Sequence, residues 1–160
     1  MHGHLHKPEL LENHRPNILG ILSSGSIGGK PWPNKTTGIL PNNQFHLIEI
    51  DDGDHFCGVI HSWNWTQTKG WTRSTRDIAN GLPNTTGFGA RTSWSGLLQL
   101  ICQAYSVGEE MMWKDVKVEF SDIRLLSARE QELLINELLT NGFEFTYERS
   151  GEPNQILRSR

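Results

Sequence analysis

The sequence predicts an α+β fold, an antiparallel or mixed sheet of four or more strands packed against two helices, preceded by an irregular N-terminal arm. Three observations lead there. Two β-rich runs, FHLIEI at 45–50 and HFCGVIHSWNW at 55–65, are separated by DDGD, and Asp-Gly between such runs is a strong hairpin signal. Two later segments, 94–106 and 128–141, carry helix caps and apolar periodicity. The 160 residues, 36% of them hydrophobic, suit one compact domain with a core.

Residues 1–44 hold five of the seven prolines and six of the 16 glycines, so arm, loop and turn are expected, with a short strand at Ile18–Leu22. The hairpin 45–65 follows. Residues 66–93 are rich in Thr, Gly and Arg and read as loop, with a helical turn over 75–80 capped by Ser74 and stopped at Gly81. Ser93 is placed to cap a helix over 94–106 whose apolar residues cover most of its circumference, which predicts a largely buried helix. Val116, Val118 and Phe120 alternate with Lys117 and Glu119, predicting a half-buried strand over 116–120. Ser127 and Glu130 have capping-box spacing ahead of Leu134, Ile135, Leu138 and Leu139, and Gly142 ends that helix. Phe143, Phe145 and Tyr147 alternate with polar residues as a last strand, 143–148. The expected organisation is an arm over 1–44, a single α+β domain over 45–149 and a polar C-terminal tail over 150–160.

Fifteen Lys and Arg against 18 Asp and Glu give a net charge of −3, which excludes a protein that coats nucleic acid or anionic membrane with its whole surface. No apolar stretch has the length of a signal core or a membrane span, so a soluble, cytoplasmic protein is expected, without membrane partners. In that setting Cys57 and Cys102, each inside an apolar run, are expected as free, buried thiols. The Asn-x-Thr sites at Asn34, Asn64 and Asn84 then carry no meaning.

Candidate chemistry falls in four places. His46, His55 and His61 lie with Glu49, Asp51, Asp52 and Asp54 within sixteen residues, and imidazole with carboxylate can hold a divalent metal or supply an acid and a base. A tight turn at Asp52-Gly53 would set Ile50 near His55 and put His55 and His61 on one strand face. The metal set would be His46, His55, His61 and Asp54, although Asp at a hairpin tip is ordinarily a turn former. His2, His4 and His6 alternate on the arm, which lacks the rigid second shell that a catalytic metal needs. Asp115, Lys117 and Glu119 share a face of the expected strand, as in the Asp/Glu-x-Lys end of metal-dependent nucleases, yet any amphipathic strand shows that alternation.

The fourth place is the only basic stretch. Thr66 to Arg91 holds four basic residues and one acid, a local +3 in a chain of −3. There Lys69, Trp71, Arg73 and Arg76 follow Trp63 and Trp65, which are two apart and so share a strand face. Arginine beside indole suits a planar anion, whereas the competing reading makes these Trp core aromatics and the arginines a solvated face. Of the six tryptophans, Trp94 and Trp113 are assigned to the core and Trp32 to a stiff loop. SSGSIGGKPW lacks P-loop spacing, and no GxSxG elbow occurs.

The fourteen residues IDDGDHFCGVIHSW (50–63) resemble the central hairpin of YTH-type readers of methylated RNA, whose strand also reads HFCGV. The resemblance ends there, since the aromatic and basic pattern near that family's C-terminal strand is not matched. It implies an aromatic pocket.

The expected function is therefore that of a small binding or interaction protein. Its ligand-binding residues would be Trp63, Trp65, Lys69, Trp71, Arg73 and Arg76, facing a planar anionic ligand, nucleic acid or a partner protein, with no cofactor. The alternative is a metal-dependent hydrolase or nuclease on the His46/His55/His61 and Asp cluster, with a divalent metal as cofactor. The arm, too poor in apolar residues to fold alone, suggests a homo-oligomer in which it wraps a second subunit.

Overall fold

The structure, a computed structural model, describes residues 9–11, 21–23, 43–51, 53–75, 81–149 and 151–160. It is of the α+β class, with antiparallel sheets of four and three strands and three α-helices among these residues. The chain forms two compact units, Met1–Gly89 and Ala90–Arg160. None of the described helices is long and apolar enough to cross a membrane.

In the first unit β1 (Glu9–Leu11) pairs antiparallel with β2 (Ile21–Ser23), so the arm contains a small ladder near the expected Ile18–Leu22 strand. The main sheet is built on β4 (Gly58–Thr66). One side of β4 pairs with β3 (Gln44–Ile50). Its other side is shared between β5 (Gly70–Arg73), which takes the C-terminal half, and β6 (Thr85–Phe88), which takes the N-terminal half. Both β5 and β6 lie in the stretch read from sequence as loop.

The hairpin between β3 and β4 is present, but its turn is longer than Asp-Gly implies. Ile50 pairs with Gly58 instead of approaching His55, and the Asp51 amide donates to Cys57 O at 2.9 Å across the connection. The reason is a close approach. A Cβ on residue 58 would stand 1.9 Å from Glu49 O, so only glycine permits this register.

One face of this sheet is buried and unusually polar. Gln44, Ser62, Asn64 and Thr86 join Ile60 there. The Gln44 side-chain amide donates to Asn64 Oδ1 (2.5 Å) and Leu82 O (2.8 Å), and its Oε1 accepts from the Leu82 amide (2.8 Å). Ser74, expected to cap a helical turn over 75–80, donates instead to Leu82 O at 2.7 Å, and residues 76–80 lie outside the described residues. Gln44, Asn64 and Ser74 are thus hydrogen-bonded, as burial demands, whereas Nε2 of His46 on the same face has no hydrogen-bond partner among the described residues.

The second unit has its own core: Leu97, Ile101, Trp113, Val116, Ile123, Leu126, Leu134, Ile135, Leu138, Phe143 and Ile156. Helix α1 (Trp94–Ala104) is capped by Ser93, whose Oγ accepts from the Gly96 amide at 3.2 Å. It is amphipathic instead of largely buried, since only Leu97 and Ile101 are fully covered, Trp94, Leu98 and Cys102 are half-buried, and Leu100 is exposed. The buried face of α1 packs on the later helix Ala128–Thr140 and on the 3-10 turn Ser121–Leu125.

The expected strand over 116–120 is a helix, α2 (Trp113–Glu119), preceded by the short strand β7 (Glu110–Met112). Trp113 and Val116 are buried while Val118 is 79% exposed. The apolar set that counts is Trp113, Val116 and Phe120, spaced for a helix, and the Val116/Val118 alternation is incidental. Asp115, Lys117 and Glu119 therefore share no strand face, and Glu119 Oε2 accepts from the Tyr105 hydroxyl at 2.5 Å.

A 3-10 turn, Ser121–Leu125, leads to α3 (Ala128–Thr140), where the Ser127/Glu130 capping box forms as the sequence predicts. The last sheet has the order β7-β9-β8, with β8 Phe143–Tyr147 and β9 Pro153–Arg158. The polar tail expected over 150–160 is thus the central strand. Ile156 is fully buried, and the Arg158 guanidinium donates to Cys102 O (2.6 Å) and Tyr105 O. One apolar anchor and two ladders hold a strand whose composition reads as tail. Cys57 is buried, Cys102 is half-buried, and the two are not joined in a disulfide.

Candidate binding face

Pairing register decides which side chains share the second face of the β4 sheet. Residues directly opposite each other in a ladder project to the same side. Phe45 is opposite Trp63, and Trp63 is opposite Arg73, so these three form one rung across β3, β4 and β5. Trp65 is opposite Trp71 in the next rung, and Leu47 is opposite His61 on the other flank.

The rung is a three-layer stack. The Phe45 ring lies parallel to Trp63 at 4.7 Å, and the Arg73 guanidinium carbon sits 4.7 Å from the Trp63 centroid. A cation over an indole gains from the ring quadrupole. Trp63 is half-buried, so its role is to seat Arg73 more than to offer a free ring. The exposed rings are Trp65 (45%) and Trp71 (41%), which meet edge to face at 5.5 Å, with Trp71 also edge-on to Phe45 at 5.0 Å. Gly70, with φ at +66°, closes the Gln67–Lys69 turn and leaves room for the Trp65 ring above it. Lys69 is exposed in that turn, tied through its backbone amide to Thr66 Oγ1 at 3.2 Å.

His61 links the stack to β3. Its Nδ1 lies 3.3 Å from Arg73 Nη2, and its Nε2 lies 3.3 Å from Glu49 Oε2. The second contact is within ion-pairing range but off the hydrogen-bond direction, since Nε2 makes no hydrogen bond among the described residues. In the tautomer with Nδ1 bare, that nitrogen accepts a hydrogen bond from the Arg73 guanidinium.

Four of the six sequence-nominated ligand residues, Trp63, Trp65, Trp71 and Arg73, are brought to this face, Lys69 stands in the adjoining turn, and Arg76 lies outside the described residues. Sequence reasoning missed Phe45. Its position as the first aromatic of the β3 run is a signal only once the register with Trp63 is known.

The metal set is dispersed. His46 is opposite Ser62 and His61 is opposite Leu47, which places the two imidazoles on opposite faces of the sheet. His46 Nδ1 is 2.9 Å from Ser62 Oγ, and burial pushes the imidazole below its ordinary pKa. His55 is outside the strand, in the β3–β4 connection, with Nε2 2.6 Å from Gly89 O. Asp54 is exposed in the same connection. Among the described residues no three His, Cys, Asp or Glu are placed to hold a metal ion, so the expected His46/His55/His61/Asp54 site is not assembled. The physical cause is the register. Strand alternation sends residues 46 and 61 to different sides, and the longer turn removes His55 from the strand. His2, His4 and His6 lie outside the described residues.

Comparison with protein families, with curated proteins and with solved structures finds no match.

Proposed function

We propose that the protein is a binding module whose β4–β5 face takes a planar, anionic ligand, with Trp65 and Trp71 supplying ring contact and Arg73 and Lys69 supplying charge. The observation that carries this reading is the Phe45–Trp63–Arg73 stack beside two exposed indoles. A guanidinium held over one ring, next to two others, presents its donor edge outward to a phosphate or carboxylate while the neighbouring rings offer apolar surface. From Phe56 through Thr75 the chain has two cations and no carboxylate, so the hairpin favours an anion.

Tryptophan fluorescence with adenosine monophosphate, against inorganic phosphate alone, tests this. The nucleotide is expected to quench emission saturably. Trp71→Ala and Arg73→Ala are each expected to remove that response with little change in thermal stability, because neither side chain belongs to the buried core. Equal responses to nucleotide and phosphate, or a response that survives both substitutions, would sink the reading.

A further inference from the structure

We infer that the occupant of this face is single-stranded nucleic acid, contacted over at least two nucleotides; the inference rests on the β4–β5 face being a binding surface. The argument is one of repeat. Along β5, Arg73 and Trp71 are two residues apart and project to the same side, a step of about 6.6 Å at strand rise. Lys69 stands beyond Trp71 at the turn end of the hairpin. The order along the hairpin is thus cation, indole pair, cation. A lone planar anion would use one ring and one cation, whereas a polynucleotide strand alternates stacking bases with single phosphate charges and can engage both of each.

The ring geometry agrees with that occupant. Trp65 and Trp71 are inclined by 62° and therefore offer two differently oriented surfaces, which unstacked bases can reach and a duplex cannot. Trp63, covered by Phe45 on one side and Arg73 on the other, is closed to a base, so the face is a short platform with a fixed charge at one end. Charge complementarity favours a polyanion over an apolar protein partner. Glu49, on the same face of the sheet, is turned toward His61.

The test uses the full chain and a fluorescein-labelled 12-nucleotide single strand of mixed sequence, its duplex, and adenosine monophosphate. The single strand is expected to bind at least tenfold more tightly than the mononucleotide and the duplex. Two phosphate contacts give a slope of log affinity against log salt of about −1.4, and Lys69→Gln or Arg73→Gln should each halve it, to about −0.7. Trp71→Ala should weaken the single strand about 5- to 150-fold, the range for loss of one base stack. Should Trp71→Ala fail to fold, Lys69→Gln, in an exposed turn, carries the test through its salt slope. Mononucleotide binding that Trp71→Ala removes, with no tighter binding of the single strand, overturns the inference and leaves the binding face standing. Tight binding of the single strand that none of these substitutions changes also overturns it. No response to any of the three ligands overturns both.

Discussion

Two tryptophans on the same face of the sheet, Trp63 on β4 and Trp71 on β5, do different work. Trp63 is sandwiched between Phe45 and Arg73 and is half-buried, whereas Trp71 contacts its neighbours edge-on and stays exposed. Trp63→Ala should therefore lower stability by up to ~3 kcal/mol, the lower end for a large aromatic truncation, while Trp71→Ala should cost under ~1 kcal/mol; urea unfolding of the two variants separates them. His46 makes a second residue-scale prediction. Burial lowers its pKa in the folded state, so the unfolded chain binds the proton more readily. The stabilising contribution is full above the unfolded value of 6.5 and is lost as the pH falls through the lowered folded value. The urea midpoint should thus drop between pH 7.5 and 5.5, and His46→Asn, which keeps a polar atom toward Ser62, should flatten that drop; an unchanged pH dependence in the variant would contradict the assignment. At this scale the residue types of the site were legible because indoles and arginines cluster only between 63 and 76. Which imidazole faces which way was not, since residues 46 and 61 are sorted to opposite faces by a pairing offset that a single strand's composition does not encode.

Two helices announced by their caps start where the sequence places them. The Ser127/Glu130 box starts α3 and Ser93 starts α1, because a cap is settled by residues three apart. Replacing Ser127 by Ala should cost about 1 kcal/mol, measured as a shift of the urea midpoint with unchanged slope. Elements fixed by distant partners are displaced or missed. The Val116/Val118 pattern fits strand and helix alike until the core chooses Trp113 and Val116, and then Val118 is left exposed. Strands β5 and β6 are four residues each, rich in Thr and Gly, and exist because β4 is long enough to pair with both on one side. β9 is the extreme case, a PNQILR segment stabilised by neighbours on both edges. Ile156→Ala should therefore destabilise by about 2–5 kcal/mol, as for other fully buried aliphatic side chains.

At the scale of the molecule, the second unit keeps its whole apolar core between Leu97 and Ile156. A polypeptide of residues 90–160 is expected to unfold in one cooperative transition by circular dichroism, and one of residues 90–149 to show none. Retention of a cooperative melt without 150–160 would contradict the central position of β9. That position also orders events in time. Among the described residues β7 and β8 pair only with β9, so neither enters that sheet until residues 153–158 have been synthesised. Helices α1 to α3 can form as they leave the ribosome, but Phe143 and Met111 must wait with their sheet partner absent. The nascent chain thus passes through an interval in which apolar surface and unpaired strand edges are open to a chaperone, and it closes only when its least strand-like segment arrives.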